Sequence, residues 1–568
     1  MTAETVPEVA ARSPVDCEPF DGEAVAGIAE DVRVAKATGV IALGNVTSRL
    51  LGLGREMLLS DLFGAGAAVD AFNIAIIVPR TLYDLLIGGH VNSALVPVLS
   101  EYAMQKDRAA LWRLVNLLLG LVIIALALLV LVLEILAPQV VALIAGGSPR
   151  GLLVHTLQLQ LAPLPVLIAD SSALATHLLR ITTPALLFLS IFAVLSGLLY
   201  ALRRFTLPAF AGAVFNGSIV AVTILAAPTL GIAAMAVGWL VGAAVQMGAQ
   251  LWGVRDARLR PALRGLWQEP GLRRFALLYT PVMVSLFIDT LVIRLVSYRL
   301  AAQAGEASIS YMNYATTLIQ FPHGLVATAI SIAILPTLSR QAVLLLSEGV
   351  AAYKSTLGRG LRLTIVLIVP AAIGLFVLSS SVVGLIFEHG EFTAADTAVT
   401  ALALRLYLLG LPFAAVDLLL VFAFYAQQDT LTPALIGVIS LGAYMAVALG
   451  LMPQYGLFSL MIADSTKHLL HAAIAAWFLS RRIGGFRGQD LPLTTLKTGV
   501  AALAMGAVAL VSQQAMVALL PADSLAGELL LVVSAGAIGV VVFVLLAAVL
   551  HIDEFYWLVG LVRARLAR

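Results

Sequence analysis

Apolar runs recur along nearly the whole chain, broken by short polar or basic linkers. Residues 114–133, LVNLLLGLVIIALALLVLVL, carry no charge, and neither do residues 529–550, LLLVVSAGAIGVVVFVLLAAVL. At about 1.5 Å per residue, helices of this length cross a hydrocarbon core of roughly 30 Å. The pattern predicts an all-α polytopic membrane protein with fourteen transmembrane helices, at 36–61, 70–100, 113–144, 174–201, 207–229, 232–253, 272–299, 308–338, 358–387, 395–425, 432–452, 456–480, 494–518 and 526–550. The mixed stretch 145–173 is read as a re-entrant or surface segment. Residues 551–568, HIDEFYWLVGLVRARLAR, mix aromatic and basic side chains and predict a basic interfacial helix. Residues 1–33 hold eight acidic and two basic side chains and no apolar core, the pattern of a disordered acidic tail rather than a signal peptide.

Charge placement orients the spans. Lys106, Arg108, Arg113, Arg203, Arg204, the arginines of 255–274, Arg340, Lys354, Arg359, Arg362, Arg481, Arg482 and Arg487 fall in even-numbered linkers, whereas the odd-numbered ones hold chiefly Arg150. The positive-inside rule then places both termini in the cytoplasm. Composition agrees: 61% of residues are hydrophobic and 12% charged, about half the charge of soluble domains. Cys17 is the only cysteine, which excludes an intramolecular disulfide or a cysteine metal site. No Walker A lysine and no HExxH occur, and the eight histidines show no ligand spacing. An ATP-driven pump, a membrane hydrolase, a metal site and a nucleic-acid partner are therefore not expected. Energy for transport would come from Na+ or H+ gradients, the membrane potential or the substrate's own gradient.

The chain also repeats itself. Residues 95–102, LVPVLSEY, echo 334–341, ILPTLSRQ, and residues 200–209, YALRRFTLPA, echo 425–434, YAQQDTLTPA, at offsets of 239 and 225. Both pairs end a span on the same side, so the halves run in parallel topology. This divides the chain into an N-lobe (34–253), a basic linker (254–271), a C-lobe (272–482) and two added helices (493–550). Substrate is expected between the lobes near the midplane.

Charged residues inside spans mark candidate chemistry, because charge at mid-bilayer is costly. Arg49 and Glu56 are seven residues apart and share one helix face; Arg55 lies about 120° round, with Gly52 and Gly54 leaving space between. The alternatives are a cavity-facing anion site and structural pairing. Arg80 and Asp84 are spaced to pair on one helix, with Tyr83 beside them. Asp70 opens the second span, where a helix N-terminus favours a carboxylate. Span seven carries Asp289 and Arg294, span ten Arg405 and Asp417, span twelve Asp464 and Lys467; Arg405 and Asp417 are too far apart to pair with each other. Asp289, Asp417 and Asp464 are candidate ion-site residues. His389 and Glu391 fall in an outer loop expected to be solvated. The guanidinium fork binds phosphate oxygens bidentately, so Arg49, Arg55, Arg80 and Arg294 point to an anionic, phosphorylated substrate.

As a set, 48-SRLLGLGRE-56, 63-FGAGAAVDAF-72, 95-LVPVLSEY-102, 321-FPHGLVATAISIAILPTLSR-340, 386-IFEHGEFTAADT-397 and 424-FYAQQDTLTP-433 resemble the MurJ/MviN lipid II flippases of the MOP superfamily, which also holds the MATE exporters. The resemblance spans about 36–550. It implies two six-helix lobes, a lipid groove made with helices 13 and 14, a bacterial inner-membrane location, and export of undecaprenyl-pyrophosphate-linked peptidoglycan precursor, with cell-wall synthesis proteins as possible partners. It implies that Arg49 and Arg55 receive the pyrophosphate, with Glu56 and Asp70 at the family's acidic positions. The chain departs from the family pattern at Tyr83, Gly88, Thr316, Thr317 and Gln320, where charged residues are common; Arg80 or Arg294 would then substitute. The alternative readings are a cation-coupled MATE-like exporter, a flippase of another polyprenyl-linked glycan, and a non-transporting lipid-binding scaffold.

Overall fold

A computed structural model of the chain describes residues 22–86, 99, 101–103, 108–145, 171–257, 259–264, 269, 293–343, 350–519 and 525–566. Within these the chain is helical, with no strand. The N-lobe contains α1 (Gly22–Phe63), α2 (Ala67–Leu86), α3 (Arg108–Ala145), α4 (Ser171–Thr182), α5 (Ala185–Ala201), α6 (Thr206–Leu230) and α7 (Ala233–Gly253). The C-lobe contains α8 (Ile293–Ala304), α9 (Ser308–Pro322), a π-turn (His323–Ala327), α10 (Thr328–Val343), α11 (Ala351–Val377), α12 (Ser379–Phe387), α13 (Ala394–Leu408), α14 (Leu411–Ala426), α15 (Leu431–Tyr455) and α16 (Phe458–Ile483). Helices α17 (Leu491–Leu519), α18 (Leu525–Val549) and α19 (Asp553–Leu566) follow.

Helix is described, wholly or in part, under each of the fourteen predicted spans. Among the described residues nine helices are long and apolar enough to cross a membrane, and the pair α13 and α14, bent by 43°, makes a tenth. α1, α2 and α16 fall outside that set, and they carry Arg49, Arg55, Glu56, Arg80, Asp464, Lys467 and two histidines. Span four is broken at Thr183–Pro184, because Pro184 has no N–H to continue the ladder. One expectation is corrected: α1 begins at Gly22, inside the segment read as disordered, because its Glu- and Ala-rich start favours helix. The predicted segment 145–173 lies, apart from its ends, outside the described residues, as does most of span seven. Residues 553–566 form a helix, α19, tied to α11 by an Arg362–Glu554 ion pair, and the turn before it is tied to α17 by Lys497 Nζ donating to the His551 carbonyl at 3.0 Å.

The repeat is visible in backbone geometry at a constant offset of 225. Arg203 and Gln428 both adopt left-handed backbone, φ 58° and 61°. The Arg204 N–H donates to the Leu199 carbonyl at 2.8 Å, and the Asp429 N–H to that of Phe424 at 3.0 Å. α6 and α15 are each 25 residues long and stop at Gly231 and Gly456, with φ 53° and 50°. Each lobe then locks the foot of this helix to the helix that follows, with the charges exchanged. Arg204 pairs with Asp256 (Nη2–Oδ2 2.8 Å), and Asp429 pairs with Arg482 (2.5 Å).

Asp429 is the better buried of these acids and also accepts from the Thr432 N–H (2.9 Å) and hydroxyl (2.6 Å), capping α15. Burial raises its pKa, but the Thr432 and Arg482 contacts outweigh this and hold it below the ordinary 3.8. A depressed carboxylate stabilises the fold above its unfolded pKa and loses that contribution as pH falls through the folded value. Asp429→Ala should therefore destabilise the detergent-solubilised protein by roughly 1–2 kcal/mol at neutral pH, the difference vanishing in acid below the folded pKa. Asp256→Ala, at an exposed pair, should cost at most about 1 kcal/mol. Thermal unfolding followed by tryptophan fluorescence checks both.

Candidate functional site

Between the lobes lies a cavity of 690 Å³. α1, α2, α5, α6 and α7 form one wall; α9, the π-turn and α10 form the other. Its charged lining is Arg49, Arg55, Arg80 and Glu56, three positive and one negative. Among the described residues this lining has an excess of two positive charges, its defining property.

The α1 wall is built by small residues. Gly44, Ser48 and Gly52 recur every four positions, and a small-xxx-small stripe lets backbones approach. A Cβ on Gly44 would stand 2.2 Å from the Ala209 carbonyl oxygen of α6. This closeness lets the Asn216 amide donate to the carbonyls of Ser48 (3.2 Å) and Gly212 (3.0 Å). Its oxygen is thereby turned to accept from Arg55 Nη1 at 3.1 Å. Arg55 also pairs with Glu56 and lies 5.9 Å over the Trp239 ring. The guanidinium is thus held on three sides.

Arg49 is held differently. Among the described residues it has no carboxylate partner: Nη1 donates to the Gln320 carbonyl at 3.0 Å, and its guanidinium lies flat against Gly324. A Cβ at Gly324 would stand 2.3 Å from Nη2, so a larger residue there would push the guanidinium off this seat. The π-turn widens the helix at this point. Arg49 crosses from the N-lobe to the C-lobe.

Beyond the C-terminal end of α1 the lobes are sealed. The Glu391 N–H donates to the Asp61 carbonyl (2.9 Å), and the Tyr314 hydroxyl to that of Gly64 (2.8 Å). Asp70 accepts from the Ser310 N–H (2.8 Å) and hydroxyl (2.5 Å). Gly64 and Gly390, both at positive φ, allow the backbones to meet: a Cβ on Gly390 would lie 2.0 Å from the Asp61 carbonyl oxygen. Tyr314, Phe387 and Phe392 stack behind, at ring separations of 4.9 to 6.1 Å.

Of the sequence-predicted residues, Arg49, Arg55, Glu56 and Arg80 converge on the cavity, and Thr317 and Gln320 line it as neutral positions. Asp70 stands in the seal, where its carboxylate accepts from Ser310. Arg294 and Arg80 both lie within electrostatic reach of Tyr298, although Arg294 is not in the cavity wall. The Tyr83 and Asp84 side chains, Gly88 and Asp289 lie outside the described residues. Asp417 pairs with His471 at 2.5 Å and Asp464 with Lys467 at 2.6 Å. Arg405 finds the Ser380 hydroxyl (3.0 Å) and the Phe376 carbonyl (3.4 Å). The loop of His389 and Glu391 is part of the seal rather than simply solvated. Sequence reasoning missed the seal residues Ser310 and Tyr314, and it missed Asn216 and Gly324; the Gly44–Ser48–Gly52 stripe was the available signal for the α1–α6 contact.

The fold and cavity define a two-lobed membrane transporter rather than an enzyme. Residues 59–527 match the model of the family described as "Lipid II flippase MurJ", and the chain belongs to that family. It is 31% identical over 400 residues to the lipid II flippase MurJ of Burkholderia cenocepacia, covering 69% of this chain and 73% of that one. It is 30% identical over 478 residues to the probable lipid II flippase MurJ of Haemophilus influenzae, covering 81% and 89%. Among solved structures, a lipid II flippase MurJ in an inward closed conformation shares the fold at TM-score 0.71 and 21% identity, over 90% of this chain and 99% of that one. An inward-facing multidrug-resistance MATE family transporter of the MOP superfamily shares it at TM-score 0.60 and 12% identity, over 78% and 95%. The chain is a multi-pass protein of the bacterial inner membrane. The family match opens at residue 59, so Arg49, Arg55 and Glu56 stand on the cavity's geometry.

Two substitutions separate seat from seal. Gly324→Ala should displace the Arg49 guanidinium and weaken binding of a pyrophosphate lipid about tenfold, roughly 1.4 kcal/mol, with folding intact; titration of the purified variant with a short-chain polyprenyl pyrophosphate checks it. Gly390→Ala should wedge the seal apart and raise thiol labelling of a cysteine placed at Asn313, behind it, several-fold over the same reporter with Gly390 intact.

Proposed function

We propose that this chain moves lipid II, an undecaprenyl-pyrophosphate-linked peptidoglycan precursor, from the inner to the outer leaflet by alternating access. The observation that carries the reading is the inter-lobe cavity with three arginines against one glutamate. A pyrophosphate supplies the charge that this lining lacks, and two guanidinium forks donate bidentately to its oxygens. Arg49 and Arg55 grip the phosphates, Arg80 adds a third cation, and Glu56 orients Arg55. The prenyl tail runs over the apolar faces of α17 and α18, where Leu503 of α17 and Leu545 of α18 are 65% and 59% exposed.

The positive-inside distribution puts both termini in the cytoplasm. The seal at the C-terminal end of α1 then faces outward, and the cavity belongs to an inward-facing state. Export requires the seal to part and the cytoplasmic side to close, with the lobes moving as units about the Arg49 contact. Energy comes from an ion gradient or the membrane potential, and cell-wall synthesis enzymes are the partners that supply and consume the lipid.

A second reading, a flippase of a different polyprenyl-linked glycan, is favoured by the neutral Thr317 and Gln320 in the lining. It keeps the same arginine site and changes only the sugar-contacting wall. Complementation of a bacterium depleted of its own lipid II flippase separates the two. Wild type should restore growth, while Arg49→Ala and Arg55→Ala, at equal membrane levels, should fail or lower viable counts by at least tenfold. Failure of well-expressed wild type would move the cargo to another glycan.

A further inference from the structure

The segments that meet at the seal carry charge of one sign. Residues 57–79, 300–339 and 379–404 hold Asp61, Asp70, Glu306, Glu388, Glu391 and Asp396, and no lysine or arginine. Along α1 the sign reverses. Arg49 and Arg55 line the cavity, and Asp61 lies six residues beyond Arg55, about 9 Å along the axis. A net positive cavity is followed, beyond the end of α1, by a net negative throat.

These carboxylates are hydrogen-bonded in part but not neutralised. Asp70, 9% exposed, accepts from the Ser310 N–H and hydroxyl across the lobe boundary. Asp396 accepts from the Tyr311 hydroxyl and Glu388 from the Thr397 hydroxyl, each at 2.6 Å. Among the described residues the Asp61 and Glu391 side chains make no hydrogen bond or ion pair; their part in the seal is made by backbone, the Asp61 carbonyl and the Glu391 N–H. None of the six acids pairs with a cation among the described residues. Tyr311 lies within electrostatic reach of Asp396, Asp70 and Glu306, and Tyr314 within reach of Glu56, Asp70 and Asp396. The throat therefore abuts the Glu56 end of the cavity.

Closing the lobes does not require this charge. Backbone bonds and the Tyr314, Phe387 and Phe392 stack already join them, and a carboxylate held like Asp70 without a counter-charge opposes burial. No three His, Cys, Asp or Glu gather as a cation cage among the described residues. The charge gains a role when the seal parts. Separation takes Ser310 away from Asp70. It leaves Asp61 and Asp70 on the N-lobe wall of the gap, and Glu391 and Asp396 on the C-lobe wall. A diphosphate that leaves Arg49 and Arg55 for the outer side passes between them. A narrow cleft of one sign between low-dielectric walls focuses its field, over a path comparable to the roughly 8 Å screening length of physiological salt.

We propose that Asp61, Asp70, Glu391 and Asp396 form a carboxylate collar that repels the departing diphosphate, so that the outward-facing site holds the anion more weakly than the inward-facing one. The collar lowers affinity on one side only. It does not set the direction of transport, which belongs to the driving force. It speeds release and keeps released lipid from reoccupying the arginines. That the anion is a lipid diphosphate rests on the lipid-export reading; the charge selectivity of the collar does not.

Two measurements test it. Thr317→Cys, on the cavity wall behind the seal, in a Cys17→Ser background, is labelled from the outer side with impermeant thiosulfonate reagents of opposite charge. Asp61→Asn combined with Glu391→Gln should raise the ratio of anionic to cationic labelling rates several-fold, and Glu391→Asp should leave it unchanged. Both substitutions spare the backbone bonds of the seal. A loosened seal would speed both reagents alike, so the ratio reads charge and not opening. An unchanged ratio in the double variant, or a cysteine that no outer reagent reaches, would overturn the proposal. In proteoliposomes, a short-chain polyprenyl diphosphate at the outer face should inhibit flipping of a fluorescent diphosphate lipid at several-fold lower concentration in the double variant than in wild type. Half-saturation from the inner face should not move. Equal inhibition of both proteins overturns the action of the collar on the cargo. A wild type that flips no diphosphate lipid, while the labelling ratio shifts as expected, removes the lipid reading and leaves the collar standing.

Discussion

Guanidinium charge held in a low-dielectric slab is the constraint on which this structure turns. An arginine at mid-bilayer costs about 2.5–3.5 kcal/mol on insertion scales, and α1 and α2 bring three to one cavity. None of them is offered to lipid. Arg55 is compensated by Glu56, Asn216 and the Trp239 face; Arg49 by a backbone carbonyl and a glycine in the opposite lobe. The close α1–α6 contact exists so that Asn216 can reach, and the π-turn exists where Arg49 needs width. What remains after this compensation is a net positive cavity that an anionic headgroup completes.

That arrangement explains why the lobes meet in two chemically different ways. At the seal they meet through backbone carbonyls and amides, through Asp70 and Ser310, and through stacked aromatics. In the cavity, among the described residues, Arg49 bridges them against Gln320 and Gly324. On the proposed reading, anion binding acts on the second contact, and its differential affinity for two lobe arrangements shifts their populations. The parallel repeat supports such motion, because each lobe is internally locked by its own ion pair, Arg204–Asp256 or Asp429–Arg482.

Much of this was legible in the sequence, for physical reasons. Hydropathy marks spans because every backbone group in a bilayer must be satisfied within its own helix. The repeat 200–209 and 425–434 was readable because the left-handed turn at Arg203 and Gln428 demands similar surroundings. Arg49, Arg55 and Glu56 stood out because charge is rare in such helices. The seal was not legible: contacts such as the Glu391 N–H on the Asp61 carbonyl use backbone, which any residue supplies. The place of Asp70 in the seal was not legible, because a carboxylate at a helix start looks the same whether it meets a ligand or the Ser310 hydroxyl.

The most direct measurement is a structure of the chain bound to a short-chain pyrophosphate-linked glycolipid in lipid nanodiscs. The account predicts diphosphate density between the lobes, within ion-pair distance of Arg49 and Arg55 and facing Arg80. Diphosphate density outside this cavity, with the three arginines contacting only protein, would contradict it.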